Sequence, residues 1–123
     1  LGESIEIDDR EYELTGIFPV RFGMSTKPQA HGYSIFAVEK ENPYYAPGTI
    51  VKGHEFRYST VREWRGSESD LVLKMKRGRG FAGGRDGLHY KNALALYTHV
   101  HVGGTPEWAA GFIDFCRKWS ARG

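Results

Sequence analysis

The sequence predicts an α/β domain in which a mixed β-sheet is followed by one amphipathic C-terminal helix. Three observations predict it. Short β-like runs recur between glycine- and proline-rich turns, the stretch from Ala93 to Val102 is almost continuously apolar, and the final segment repeats large apolar residues at three- and four-residue spacings. A length of 123 residues with 40% hydrophobic and 26% charged positions suits one domain with one core, spanning residues 1–123.

Taken in order, the chain opens on Leu1-Gly2-Glu3-Ser4-Ile5-Glu6-Ile7, an amphipathic stretch without an initiating methionine. That gives the expectation of a chain that begins inside a larger one. The β-like runs then read Glu13 to Phe18, Gly32 to Glu39, Thr49 to Ser59, Leu71 to Lys76 and Leu88 to Val102, with Asn42-Pro43 and Pro47-Gly48 as turns. The run Ala93 to Val102 reads as a central strand covered on both faces. If it stays regular, Leu94, Leu96, Val100 and Val102 line one face, and Ala95, Tyr97, His99 and His101 line the other. Two histidines then emerge near the C-terminal end of a strand, where open α/β sheets gather ligands and catalytic groups. The last element is expected to start at Pro106, capped by Thr105, with Glu107 near the positive end of the helix dipole. Its stripe of Trp108, Phe112, Phe115, Cys116 and Trp119 is expected to pack on the sheet, with Cys116 acting as a small buried hydrophobe.

Composition narrows the function classes. The net charge of +2 comes from 17 basic and 15 acidic residues spread along the chain, so no field toward nucleic acid or a membrane surface is expected. The one basic concentration, Lys74, Lys76, Arg77, Arg79 and Arg85, is glycine-rich and holds a single aromatic, which reads as a solvated loop rather than a nucleic-acid module. One cysteine excludes an internal disulfide and a multi-cysteine zinc site, making a cytoplasmic location the expectation. No stretch approaches the roughly 20 apolar residues that span a bilayer.

Candidate chemistry centres on histidines. His99 and His101 could bind a metal with His54 or Glu55, supply a catalytic base, or form a structural pair, and the spacing alone does not decide. In Lys52-Gly53-His54-Glu55-Phe56-Arg57-Tyr58-Ser59, the period of two puts His54 with Phe56 and Tyr58, and Glu55 with Arg57. Only one of the His54–Glu55 pair can then point at a pocket shared with His99. Glu55 and Arg57 also read as a same-face ion pair at a sheet edge. The glycine-rich stretch Arg77 to Gly87 has backbone amides that could cradle an anion, yet it carries no lysine-serine/threonine end of a P-loop and reads as a loop joining two strands.

Three segments together resemble one family. Gly53-His54-Glu55-Phe56-Arg57-Tyr58-Ser59, then Asp86-Gly87-Leu88 with Tyr90-Lys91-Asn92, then Ala95-Leu96-Tyr97-Thr98-His99-Val100-His101 look like the glutaminase domain of the cobyrinic acid a,c-diamide synthase family. Leu1-Gly2-Glu3-Ser4, Gly16-Ile17-Phe18-Pro19 and His31-Gly32-Tyr33 resemble the stretch downstream of that family's nucleophile, so the resemblance covers nearly the whole chain. It implies part of a class I, triad-type glutamine amidotransferase domain. In such domains a cysteine thiolate attacks glutamine's side-chain amide while a histidine takes up and returns the proton, and ammonia passes to an activated carboxylate.

The resemblance implies several expectations. His99 matches the family's histidine and is the expected catalytic base, while Glu55 is the expected acidic partner. The nucleophile is expected upstream of Leu1 and outside this sequence, Cys116 does not match it, and the chain by itself is expected to be inactive. ATP and Mg2+ are expected in a separate N-terminal domain, with no cofactor bound by this chain. The acceptor is expected to be a tetrapyrrole, either a corrin or, as in sirohaem-amidating relatives, a sirohaem. Arg57 stands where many relatives have histidine. Two other readings stay open: a noncatalytic binding or assembly module of the same fold, and a His-based metal-binding domain. Self-association into a homo-oligomer is a further expectation, since a piece of a larger domain exposes sheet edges.

Overall fold

The computed structural model describes residues 1–123 and has an α/β fold of nine strands and one C-terminal helix. The strands are β1 (Ser4–Ile7), β2 (Arg10–Glu13), β3 (Val20–Met24), β4 (Ala30–Val38), β5 (Ile50–Arg57), β6 (Ser59–Trp64), β7 (Leu71–Arg77), β8 (Arg85–Tyr90) and β9 (Ala93–Ala95), and the helix is α1 (Pro106–Ser120). They form two sheets where the periodicity suggested one. A four-stranded mixed sheet has the order β2-β1-β3-β6, with β1 and β3 parallel, and a five-stranded antiparallel sheet has the order β5-β4-β7-β8-β9.

Local chemistry explains the elements that periodicity missed. β1 and β2 are joined by Asp8-Asp9, both in the left-handed region at φ 50° and 59°, which is the geometry of a two-residue hairpin turn. Aspartate tolerates that region better than most residues, but a two-aspartate turn is a weak signal in sequence. The expected run Glu13 to Phe18 is not a strand: β2 ends at Glu13, and the chain then crosses to put Phe18 into the core. The expected run Thr49 to Ser59 breaks at Tyr58, where β5 of one sheet turns into β6 of the other. A corner of this kind lets one strand-rich segment serve both sheets.

The core has two parts. Phe18, Val20, Leu71, Phe81 and Leu88 join the sheets, with Phe22, Val61, Trp64 and Tyr97 packed against them. Phe36, Val38, Tyr45, Val51, Val72 and Leu73 form the second cluster, to which Leu94, Leu96 and Val100 add. The predicted alternation therefore holds up to Tyr97, with Ala93, Ala95 and Tyr97 facing the first cluster and Leu94 and Leu96 the second. Val102, expected with them, is exposed.

The central strand expected over residues 93–102 is instead a three-residue edge strand. A two-residue turn at Lys91-Asn92 separates it from β8, and after Ala95 the chain leaves the ladder. It returns at one point. His99 pairs with His54 through its N–H (2.7 Å) and its carbonyl (3.1 Å), so the segment beyond β9 meets β5, the opposite edge of the same sheet. The sheet thus curls round its second cluster and closes on a single backbone bridge, a seam that also satisfies edge groups.

The helix starts at Pro106 as expected, although the Thr105 side chain makes no capping bond and the Thr105 carbonyl accepts the Trp108 N–H at 3.1 Å. Its stripe does not pack on the sheet. Trp108, Phe112, Ile113 and Trp119 are exposed, as is Cys116, so the buried-hydrophobe reading of that cysteine is corrected. That side of the sheet is already covered by Tyr44 and Tyr45 from the β4–β5 connection. Asn42 Oδ1 accepts the N–H groups of both tyrosines and shapes the loop, and Tyr44 then stacks on Phe112 and packs against Phe115. Gly111 lies on the Tyr44 carbonyl so closely that no Cβ fits. No helix is long and apolar enough to cross a membrane.

Candidate active site

The site is built on the paired strands β4 and β5. Their register sets Tyr33 opposite His54 and His31 opposite Phe56, and partners directly across an antiparallel ladder share a face. An open depression lined by His31, Gly32, Tyr33, His54, Glu55 and Phe56 results, with the Tyr33 side 75% exposed. The neighbouring positions Glu55 and Arg57 point the other way, as the period of two requires.

Glu55 is only 2% exposed. One carboxylate oxygen accepts the N–H groups of Arg79 and Gly80, both at 2.9 Å, while the other lies 3.9 Å from Arg57 Nε. Arg57 donates to the carbonyls of Ser59 (2.9 Å) and Gly80 (2.8 Å), and its guanidinium sits 3.7 Å above the centre of the Tyr97 ring. Gly78, at φ 96°, passes so near that a Cβ there would come within 2.7 Å of the Glu55 carboxylate. The glycine-rich loop does join two strands, and the Arg79 and Gly80 amides, free in sequence terms to cradle an anion, are filled by the chain's own carboxylate. The same-face pair of Glu55 and Arg57 does lie on an edge strand, and it is largely buried there by the glycine-rich loop.

A second buried carboxylate organises the seam. Asp86, near the start of β8 and 1% exposed, accepts the N–H groups of Gly87 (2.9 Å), Tyr97 (3.1 Å to each oxygen) and Thr98 (3.1 Å). Burial pushes its carboxyl above the usual carboxylate range; the three N–H donors pull it down, and the nearby charge of Glu55 adds to the upward push. Tyr97, edge-on to Phe22 and stacked on Phe81, has its phenol raised chiefly by burial, with Ser59 and Arg57 opposing. Immediately after this pinned turn comes His99. Its ring lies 4.9 Å from that of His54 at 69°, and both residues are exposed. Glycine at 53 is required for this approach, because a Cβ would meet the His99 carbonyl and come within 2.7 Å of Thr98 Cγ2.

Of the residues singled out in the sequence, the structure brings together His99 and His54. Glu55 is not brought against His99: the alternation of β5 sends its carboxylate to the opposite face, into the loop. His101 stands apart, accepting the Gly103 N–H through Nδ1 at 3.1 Å and capping a short turn. No group of three or more His, Cys, Asp or Glu side chains comes within reach of a common metal ion. Sequence reasoning missed the role of Asp86, whose only local signal was an acid beside a glycine in Asp86-Gly87-Leu88, and that of Arg57, which packs over the Tyr97 ring.

Comparison with known proteins agrees with the segments quoted above. The CobB/CobQ-like glutamine amidotransferase domain family matches residues 1–107. A cobyrinate a,c-diamide synthase of Archaeoglobus fulgidus is 37% identical over 96% of this chain and 25% of its own length. Those of Methanosphaera stadtmanae and Magnetococcus marinus are 37% and 35% identical, over 82% and 89% of this chain and 22% and 23% of theirs. The chain therefore spans about a quarter of the length of the curated relatives it matches. No solved structure matches. Matched over residues 1–107 and more than a third identical to these relatives over most of its length, this chain belongs to the CobB/CobQ-like glutamine amidotransferase domain family.

Proposed function

We propose that this chain supplies the base side of a glutaminase centre within a longer, ATP-dependent ligase that amidates carboxylates of a tetrapyrrole, of the corrin or sirohaem class. The observation that carries this reading is the exposed His99 imidazole beside His54, at a seam that lies within the range matched by the family. In the proposed reaction a cysteine thiol outside this chain gives its proton to His99 and attacks the glutamine side-chain carbonyl. The C–N bond then breaks as His99 returns the proton to the departing ammonia, and water releases glutamate from the thioester. Cys116 is exposed on α1 and is given no part in it. Glu55 enters as a positioning residue, holding the Arg79–Gly80 loop and Arg57 behind Tyr97. ATP and Mg2+ belong, on this reading, to another part of the protein: the Arg79 and Gly80 amides are occupied by Glu55, and the residues present do not fit a nucleotide. No step here runs through either. The cytoplasm is the proposed location, and self-association is tested by size-exclusion chromatography.

The test is glutamine hydrolysis by the full-length protein and its His99→Ala variant. We expect a loss of at least about a hundredfold, the lower end of what a positioned general base contributes. Near-normal turnover in the variant would remove His99 from the mechanism.

A further inference from the structure

We propose that Asp86 is the positioning residue for His99, holding the imidazole in place through the backbone of Tyr97 and Thr98. The inference rests on the reading of His99 as the glutaminase base. After Ala95 the chain has left the ladder, so the N–H groups of Tyr97 and Thr98 have no strand partner, and buried amides left unpaired are costly. Both are taken by one carboxylate that is itself buried on β8, between β7 and β9. Asp86 has little freedom to move. It pairs with Leu73 across the sheet, and Gly87 beside it, at φ 76°, packs so tightly that a Cβ would come within 2.8 Å of Leu73 Cδ1. His99 is thereby held at two points, by the Asp86-bound turn directly before it and by its own backbone bonds to His54. An asparagine at 86 keeps one acceptor oxygen but turns an amide group toward N–H donors, so the turn must rotate and carry the His99 ring with it. A misplacement of about 1 Å at a reacting group is enough to cost catalysis heavily.

The experiment follows glutamine hydrolysis in the full-length protein for wild type, Asp86→Asn, His99→Ala and the double variant. Asp86→Asn should lower kcat by about tenfold or more with KM for glutamine changed by less than about threefold, the signature of an interaction used in the transition state. On the His99→Ala background the same substitution should have no further effect, because its influence passes through His99. If Asp86→Asn does not fold, Asp86→Glu, which keeps the charge but shifts the oxygens outward by a methylene, is read by the same two criteria. A kcat within about twofold of wild type, or an equal loss on both backgrounds, would overturn the positioning role. Near-normal turnover of His99→Ala alone would overturn the underlying reading instead.

Discussion

The two buried carboxylates, Glu55 and Asp86, solve the same local problem with different consequences. Each accepts backbone N–H groups from a segment that has no ladder of its own, Arg79–Gly80 for one and Tyr97–Thr98 for the other. Glu55 has the Arg57 guanidinium as a counter-charge, and what it secures is a loop. Asp86 forms no ion pair, is pushed above its ordinary range by burial, and secures the turn before His99. The difference lies in what each carboxylate is given in return: Glu55 has a cation beside it on its own strand, whereas Asp86 is held by backbone N–H groups alone.

Removing Glu55 is the most direct way to break the comparison. Glu55→Ala leaves the largely buried Arg57 charge without its counter-ion and two loop amides without their acceptor, and should destabilise the protein by about 3–5 kcal/mol in urea denaturation. Glu55→Gln retains an acceptor oxygen and should cost about 1–3 kcal/mol. A Glu55→Ala cost below that of the glutamine variant would show that the carboxylate is not the loop's anchor. Gly111→Ala probes a contact outside both clusters. The gain in helix propensity is outweighed by the clash with the Tyr44 carbonyl, so a net loss of about 1–2 kcal/mol is expected, with faster amide exchange confined to α1.

Asp86 adds a pH dependence. An acid whose folded value lies above its unfolded one binds protons on folding, so its contribution is full below the ordinary value near 3.8 and is lost as pH rises through the raised folded value. Asp86→Asn should remove that downward component from a stability series run between about pH 3.5 and 7; an unchanged slope would show that Asp86 is not its source. The smallest effect is expected at Cys116. Cys116→Ser should change stability by less than about 0.5 kcal/mol, and the native thiol should react with a soluble disulfide reagent without unfolding.

Legibility in the sequence followed the range of the interactions involved. β4, the body of β5, β7 and the start of α1 could be read because alternation, apolar runs and a Thr-Pro start are local patterns. β6 could not, because a bend at Tyr58 hands one run to two sheets, and the burial of α1 could not, because the loop carrying Tyr44 and Tyr45 had already covered that side. At the seam, the exposure of His99 beyond the apolar run agrees with its place at the end of that run in the sequence. The role of Asp86 could not be read, since its partners lie 11 and 12 residues away, beyond a turn.

By itself the sequence determined the fold class and the face alternation up to Tyr97, which depend on residues within a few positions of one another, and the family, which depends on several such short segments occurring together. Only the tertiary structure decided which of His54 and Glu55 meets His99, where the chain leaves the sheet, and how the two sheet edges join. Those outcomes rest on buried carboxylates accepting amides across the fold, and unpaired buried groups are satisfied by whatever the folded chain brings near them.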